Sequence, residues 1–113
     1  MKKITRGDIF LVQLDASYSH VQNGKRPCLI IQNNLGNTFS PTLIVVPLTT
    51  KLKKPEMPVH VTITPYQMAL CECILTISKK QILSYIKTLN ENTMKKIDEA
   101  LSVSLELIGE EKV

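Results

Sequence analysis

Residues 41–50 read Pro-Thr-Leu-Ile-Val-Val-Pro-Leu-Thr-Thr, and this stretch decides the fold. Its apolar, mostly β-branched run between two prolines is typical of a buried strand, because such side chains favour an extended backbone and prolines interrupt regular pairing. Residues 27–31 form a second such run, and a turn signal at Gly36-Asn37 separates the two. A connection of about ten residues or fewer favours antiparallel pairing, so these runs predict two neighbouring core strands.

Further strands are predicted on both sides of this pair. Residues 9–14 follow a Gly-Asp turn and are rich in apolar residues, residues 59–63 alternate in polarity, and residues 70–77 form a third candidate. Residues 15–25 lack apolar periodicity, and residues 51–58 are charged and contain two prolines. Both of these segments are therefore predicted to be loops.

Two helices complete the predicted fold. Ser78 is a candidate N-cap for a short helix over residues 79–83. The clearer helix begins after Asn90 or Asn92 and has Gly109 at the expected C-cap. Its apolar positions recur at spacings of three and four, namely Met94, Ile97, Leu101, Leu105 and Ile108. The pattern predicts a small, mostly antiparallel barrel or sheet with a C-terminal helix.

The composition predicts one globular domain over residues 1–113. The chain has 113 residues, of which 43% are hydrophobic and 21% charged, enough to bury one core but not two. It contains no apolar run of bilayer length, and its amino terminus does not resemble a signal peptide. Its three cysteines, an odd number, suggest no disulfide framework, so we expect a cytoplasmic protein with reduced thiols.

Basic residues are concentrated in the body of the chain. Residues 1–87 contain 11 Lys and Arg against 4 Asp and Glu, a net charge of +7, whereas residues 88–113 contain 3 against 6, a net charge of −3. A basic body favours a polyanionic partner, because Lys and Arg near phosphates release condensed counterions on binding. Charge alone leaves nucleic-acid binding and ordinary solubility equally open.

Most standard catalytic and cofactor motifs are absent from the sequence. It has no Gly-rich phosphate loop, no His-Glu-x-x-His and no Gly-x-Ser-x-Gly. Cys71 and Cys73 are predicted to share one face of a strand and to pack in the core, since no second pair completes a metal site. His20 and His60 are candidate proton carriers, although a lone histidine is more often structural. We therefore expect neither a metal nor a cofactor.

Two short segments carry groups suited to a phosphodiester. Pro27 restricts the preceding Arg26 to an extended backbone, which would preorganise a guanidinium whose planar donors match phosphate oxygens. The alternative is a surface arginine that merely enters a strand. Thr49, Thr50 and Lys51 close the buried run with two hydroxyls and a cation, which suits a cleft but also an ordinary strand end.

Together these segments resemble the MazF/PemK family of toxins, particularly its Gram-positive branch. The similarity covers nearly the whole chain and continues through residues 58–61, 76–77, 97–101 and 104–105. The segments that carry it are, in order, Arg6-Gly7-Asp8-Ile9-Phe10, Gly24-Lys25-Arg26-Pro27, Ile30-Ile31-Gln32-Asn33, Gly36-Asn37, Phe39-Ser40-Pro41-Thr42 and Val46-Pro47-Leu48-Thr49.

The resemblance implies a mainly β fold with α-helices, a small SH3-like curved antiparallel barrel or sheet. It also implies the toxin of a type II toxin-antitoxin system, a homodimer that cleaves single-stranded RNA at specific sequences without metal and is inhibited by an acidic, MazE-like antitoxin. The chemistry would be attack of a ribose 2′-OH on the adjacent phosphate, which gives a 2′,3′-cyclic phosphate and a 5′-OH end.

The same resemblance assigns roles to individual residues. It makes Arg26 and Thr49 the catalytic residues, with Thr50 the weaker candidate of the two threonines. The residues expected to bind RNA are Lys25, Gln32, Asn33, Thr50, Lys51, Lys53 and Lys54.

One segment departs from the branch pattern. Where the branch typically reads Gln-Ile-Arg-Thr, this chain reads Cys73-Ile74-Leu75-Thr76, a difference that would alter either RNA-sequence preference or local packing. Two other functions remain open on the same fold, a non-catalytic RNA-binding module and a gyrase poison. Relatives of the second kind generally lack the Arg-Pro and Pro-Leu-Thr combination found here.

Overall fold

Seven strands and a C-terminal helix form the core of the molecule. The computed structural model describes residues 2–14, 24–51 and 57–107. Along the chain the elements are β1 (Asp8–Leu14), β2 (Gly24–Ile30), α1 (Asn34–Phe39), β3 (Thr42–Thr49), β4 (His60–Thr64), β5 (Gln67–Leu70), β6 (Leu75–Ser78), a 3-10 turn (Lys79–Gln81), β7 (Ile82–Thr88) and α2 (Glu91–Ser104). No helix among these residues is long and apolar enough to cross a membrane.

The strands pair in an antiparallel sheet in the order β4-β5-β3-β2-β1-β7. One edge of β3 carries two partners in succession, β6 along Thr42–Val45 and β5 along Leu48–Thr49. The other edge pairs with β2, where Cys28 lies opposite Pro47. The predicted antiparallel pairing of the two central runs is therefore confirmed, as is the mainly β fold with a C-terminal helix.

The sheet has an apolar cluster on each of its two faces. One cluster lies under α2 and joins Ile97 and Leu101 of the helix to Ile9, Leu29 and Leu48 of the strands. The other cluster lies on the opposite face of the sheet and includes Phe10, Val12, Ile30, Leu43 and Ile77. Alternating side chains of β1, β2 and β3 thus supply both cores, because successive residues of a strand point to opposite faces.

Three sequence predictions were wrong in the loops and short elements. Gly36-Asn37 is not a turn but part of α1, whose N-cap Asn33 accepts a hydrogen bond from the Gly36 amide at 2.8 Å. Residues 70–77 form the ends of two strands around a turn rather than one strand. Gly24 and Lys25 belong to β2 and not to the preceding loop.

The segment after β6 also differs from the predicted helix over residues 79–83. Ser78 caps the chain as expected, but the helix is a single 3-10 turn closed by a capping box with Gln81. From Ile82 the chain pairs with β1 as strand β7, with two extra residues, Leu83 and Ile86, bulged out of register. These bulges interrupt the alternation of polarity, which is why the sequence pattern did not predict a strand.

Helix α2 begins where the sequence predicts and ends earlier. Asn90 is the N-cap and accepts from the Thr93 amide at 2.8 Å. The predicted cap at Gly109 is wrong, since the helix ends at Ser104 with the paired bonds of a Schellman motif: Leu107 N–H to Ser102 at 2.8 Å and Glu106 N–H to Val103 at 3.2 Å. Glu106 takes the left-handed position of this motif with φ of 55°.

Buried Asp8 ties the amino-terminal segment to the end of β7. Its carboxylate is fully buried and accepts from the Lys2 ammonium at 2.7 Å, the Thr5 amide at 2.8 Å and the Thr88 hydroxyl at 2.6 Å. Desolvation by burial disfavours the charge, but these hydrogen bonds outweigh it and hold the pKa of Asp8 below its usual value.

Replacing Glu106 by glycine should stabilise the protein. A side chain in the left-handed region costs about 1 kcal/mol that glycine avoids, and glycine is the usual residue at this position of the motif. Urea unfolding should therefore show Glu106→Gly more stable than wild type by about 1 kcal/mol. Glu99→Gly, at an exposed position within α2, is the matched control, and its free energy of unfolding should be lower than that of wild type by about 1 kcal/mol. A destabilised Glu106→Gly would contradict the Schellman assignment.

Asp8→Asn should be less stable than wild type at neutral pH, and its stability should depend less on pH in the acid range. Because the folded pKa is lowered, ionised Asp8 stabilises the fold above its unfolded pKa near 4, and this contribution disappears as pH falls through the folded pKa. The free energy of unfolding of the variant should be lower than that of wild type by about 2 kcal/mol or more at pH 7, and by less at pH 3. Unfolding curves at both pH values test this. Asp98→Asn, half-exposed in an ion pair with Arg6, is the control and should change little.

Candidate active site

Arg26 stands at the start of β2 with its guanidinium turned toward β3. Its backbone pairs with Val12 of β1, and its Nη1 donates to the carbonyl oxygen of Leu48 at 3.4 Å. The neighbouring Cys28 is buried, and burial raises the pKa of its thiol to about 12 although the positive charge of Arg26 acts against that rise. The guanidinium thus lies where the β2–β3 pair opens, partly buried and close to the end of β3.

Thr49 ends β3 at the same place. Continuing the Cys28–Pro47 register by two residues would bring Thr49 opposite Arg26, in line with the contact between Arg26 and Leu48. The Thr49 side chain is nearly buried, and its Oγ1 accepts from the Lys51 amide at 3.1 Å. A hydroxyl that accepts one bond still has a proton to donate, so this geometry can present a neutral donor beside a guanidinium.

The surroundings of Arg26 and Thr49 are basic. Lys25, Thr50 and Lys51 are exposed and flank the two residues along the chain. Residues 24–51 and 57–71 contain no Asp or Glu. Cations without local carboxylates raise the electrostatic potential where an anion would enter. The open end of β2 and β3, comprising Lys25, Arg26, Thr49, Thr50 and Lys51, is called the basic edge below.

Gln32 and Asn33 lie at the opposite end of the same strand pair. Six residues of extended chain separate Gln32 from Arg26, about 20 Å. The buried Gln32 amide donates to Asn37 Oδ1 at 3.2 Å and to the Thr42 carbonyl at 3.0 Å, while Asn33 caps α1. The structure therefore does not bring these two residues to the basic edge, and RNA binding by them stays a prediction.

The remaining site candidates fall in different places. Lys53, Lys54 and His20 lie outside the described residues. His60 is on β4, which is separated from β3 by β5, and its buried ring contacts Glu72, with 2.8 Å between Nε2 and Oε2. This pair links β4 to the turn after β5.

Cys71 and Cys73 do not share a strand face as expected, because both lie in the turn between β5 and β6. Cys71 is buried, in accordance with the predicted core packing, and burial raises the pKa of its thiol to about 12. Within residues 2–14, 24–51 and 57–107, no three His, Cys, Asp or Glu side chains are grouped as metal ligands would be.

The sequence reasoning missed one feature of this edge, the β4–β5 hairpin. Thr49 pairs with Met68, and Met68 with Thr62, so the three residues form a row across β3, β5 and β4. The hairpin tip at Pro65-Tyr66 therefore lies beside the end of β3. Its signal in the sequence was Pro65 between two strand-like segments, because the fixed φ of proline favours the second residue of a β-turn.

Comparisons with known proteins agree with this architecture. Residues 5–105 match the family model described as the PemK-like, MazF-like toxin of type II toxin-antitoxin system. The chain is 39% identical over 112 residues to Endoribonuclease EndoA of Bacillus subtilis (strain 168), covering 93% of this chain and 97% of that protein.

Solved structures show the same similarity. An endoribonuclease in complex with its cognate antitoxin from Mycobacterial species is 27% identical with a TM-score of 0.80, covering 94% of this chain and 98% of that chain. MazF of Deinococcus radiodurans shares the fold with a TM-score of 0.81 at 15% identity, covering 94% and 99% of the two chains.

The family model spans the strand pair that carries Arg26 and Thr49 as well as the helix that covers one face of the sheet. The similarity to EndoA extends over almost the full length of both chains. The chain therefore belongs to the family of PemK-like, MazF-like toxins of type II toxin-antitoxin systems.

Proposed function

We propose that this toxin cleaves single-stranded RNA at the basic edge, with Arg26 and Thr49 as its catalytic residues. The supporting observation is that two neighbouring strands place a guanidinium and a nearly buried hydroxyl at one open end of the sheet. The family and the similarity to EndoA support the class of enzyme, an endoribonuclease. The 2′-OH of the preceding ribose loses its proton as the 2′-O–P bond forms, and the P–O5′ bond breaks as the departing 5′-oxygen gains a proton, so the step consumes no net proton.

Arg26 stabilises the charge that develops on the phosphorane. Its donors can follow the non-bridging oxygens as the phosphate becomes five-coordinate, and its charge is present at every working pH. The carbonyl of Leu48 and the pairing of the Arg26 backbone with Val12 restrict where the guanidinium can lie. A cation held in place before reaction gives more transition-state stabilisation than one that must be ordered during it.

Thr49 acts as a neutral donor to the same phosphate. The Lys51 amide holds its Oγ1 from one side, which leaves the hydroxyl proton to donate to a non-bridging oxygen. A single donor of this oxyanion type is worth about 2.7–4 kcal/mol in transition-state stabilisation. Lys25, Thr50 and Lys51 bind the flanking phosphates. Lys53 and Lys54, which lie outside the described residues, follow Lys51 in the sequence and would add two further cations. Gln32 and Asn33 would contact only an RNA long enough to follow the strands.

The protein works in the cytoplasm as part of a toxin-antitoxin pair. The chain belongs to a family of toxins of type II toxin-antitoxin systems, and a solved structure 27% identical to it is an endoribonuclease in complex with its cognate antitoxin. An acidic antitoxin segment that folds on binding would be attracted to the basic edge and would cover it. A two-fold homodimer would enlarge the surface that a 113-residue chain offers to an extended RNA.

Arg26→Ala and Thr49→Ala should each lower the cleavage rate by about a hundredfold or more, with the fold intact by circular dichroism. Arg26→Lys should recover only part of the lost rate, because an ammonium keeps the positive charge but lacks the paired, planar N–H donors of the guanidinium. Lys87→Ala, which removes an exposed cation from β7, is the control and should cut normally. His60→Ala should cost less than either catalytic change. Near-normal activity in folded Arg26→Ala would exclude this site.

The chemistry itself can be tested on the substrate. RNA with 2′-deoxyribose at the cleavage position should bind and stay intact, because the nucleophile is missing. Product ends should be 2′,3′-cyclic phosphate and 5′-OH, and excess EDTA should leave the rate unchanged. Cleavage of the deoxy substrate, or loss of activity in EDTA, would contradict the proposed mechanism. Intact RNA together with a gel shift would instead favour a non-catalytic binding module.

The assembly can be tested in solution. Light scattering at micromolar concentration should give the mass of a dimer, and a monomer would contradict the proposal. The cognate antitoxin should compete with the deoxy substrate for the toxin, because both occupy the basic edge. Simultaneous binding of antitoxin and RNA would show that inhibition does not occur by occlusion.

A further inference from the structure

Tyr66 is an exposed aromatic residue at the tip of the β4–β5 hairpin, next to the basic edge. Thr49 pairs directly with Met68, and Tyr66 precedes Met68 by two residues. One strand spacing across and two residues along place the backbones of Tyr66 and Thr49 about 8 Å apart. The hairpin thus brings an aromatic ring to the end of the sheet at which Arg26 and Thr49 meet.

The ring of Tyr66 is presented to solvent rather than packed. Tyr66 is 79% exposed, whereas Tyr85 on β7 is 42% exposed, packs edge-on against Phe10 and bonds its hydroxyl to Thr88. Within residues 2–14, 24–51 and 57–107, Tyr66 makes no ring contact, and its one hydrogen bond is from its amide to Thr64 Oγ1 at 3.2 Å.

The backbone beneath this ring is held in place. Pro65 occupies the first turn position, where its fixed φ suits a tight turn. The Thr64 hydroxyl holds the Tyr66 amide, and Thr64 itself pairs with Gln67 across the hairpin. An exposed ring on a fixed turn loses less conformational freedom when it binds a ligand than a ring on a long loop would.

We propose that Tyr66 is the stacking platform for a nucleobase next to the scissile phosphate, and so a positioning residue for RNA cleavage. This inference rests on the proposed function of Arg26 and Thr49. Proteins bind single strands by combining cations that follow the phosphates with aromatic rings on which unpaired bases stack. The basic edge supplies the cations, and Tyr66 supplies the ring beside them.

The charge around Tyr66 favours RNA over a protein surface as the occupant. Lys51 continues the chain from Thr49 and Thr50 toward the hairpin tip, and residues 57–71 carry no carboxylate. A base stacked on Tyr66 would therefore have its own phosphates among Lys25, Arg26 and Lys51. Stacking accepts every base, so the platform fixes the position of the strand more than its sequence.

The first test separates binding from chemistry in three variants assayed on one RNA. Tyr66→Ala should raise KM, and the Kd for the 2′-deoxy substrate, by at least about tenfold while kcat changes less than about threefold. Tyr66→Phe should stay within about twofold of wild type, because it keeps the ring. Arg26→Ala should show the reverse pattern, a loss in kcat. An abasic nucleotide at the stacked position should abolish the difference between wild type and Tyr66→Ala.

The second test uses the absence of tryptophan from the chain. In Tyr66→Trp the single indole should be quenched on binding the 2′-deoxy substrate, and the abasic version of that substrate should quench it much less. Tyr85→Trp, on the outermost strand at the far side of the sheet, is the matched control and should not respond. The mass of Tyr66→Ala measured by light scattering should equal that of wild type, which would exclude a change in assembly as the cause of its weaker RNA binding.

The outcomes distinguish this inference from the function on which it rests. The stacking role would be overturned by an unchanged KM in Tyr66→Ala, by absence of quenching in Tyr66→Trp, or by an RNA affinity of Tyr66→Phe as low as that of Tyr66→Ala. None of these results would contradict the proposed roles of Arg26 and Thr49. Normal cleavage by Arg26→Ala would overturn the catalytic site whatever Tyr66 does. If antitoxin but not RNA quenched the indole of the Tyr66→Trp variant, the ring would be assigned to a protein contact and the proposal would also be rejected.

Discussion

The divided edge of β3 is the constraint on which the rest of the structure depends. Its first half pairs with β6 and its last two residues pair with β5, while β2 occupies the opposite side. Because β6 and β5 share this edge in succession, the two parts of the sheet join at β3, and side chains of β3 contribute to the apolar clusters on both faces. Pro47 lies where the partners change, between the residues paired with β6 and with β5. A proline in a central strand is least costly there, because the ladder on that edge is already interrupted.

The candidate site follows from the same division. After Pro47 only Leu48 and Thr49 remain in the sheet, and β2 on the other side begins just before Arg26, so both strands run out together. Cys28 and Pro47 form the last pair of β2 with β3, and Pro27 comes directly before Cys28. Beyond this pair the Arg26 side chain donates to the Leu48 carbonyl. The polar groups at the open end can thereby face a ligand. Catalytic and binding residues are commonly placed in this way, at element ends supported by a rigid scaffold.

The sequence predicted the elements whose local pattern agrees with their tertiary role. The runs of β2 and β3 are apolar because most of their side chains are buried in one of the two clusters, and α2 shows a clear helical period from Met94 to Leu101. Strand β7 was not predicted because its bulges break the alternation of polar and apolar residues. Helix α1 was not predicted because a polar, Asn-rich segment is equally typical of a turn and of a short helix with an Asn N-cap. For the candidate site, the family resemblance led to the prediction of Arg26 and Thr49. Tyr66 could not be proposed from the sequence, since the exposure of its ring and its distance from Thr49 depend on strand pairing far along the chain.

The register of the β2–β3 pair links the two ends of the molecule. A slip of one residue would move Cys28 to the face under α2 and take Arg26 away from Leu48, because side chains alternate along a strand. At the end remote from the site one side-chain bond joins the end of β2 to β3, from Gln32 to the Thr42 carbonyl at 3.0 Å. The carbonyls on either side are held by Asn37, which donates to Gln32 at 2.9 Å, and by Arg6, which donates to Ile31 at 2.8 Å. Buried side-chain bonds to the backbone are satisfied in one alignment only, and they cost free energy in any other. The polar end of the pair thus specifies the alignment that brings the Arg26 guanidinium to the end of β3, about 20 Å away along the strand.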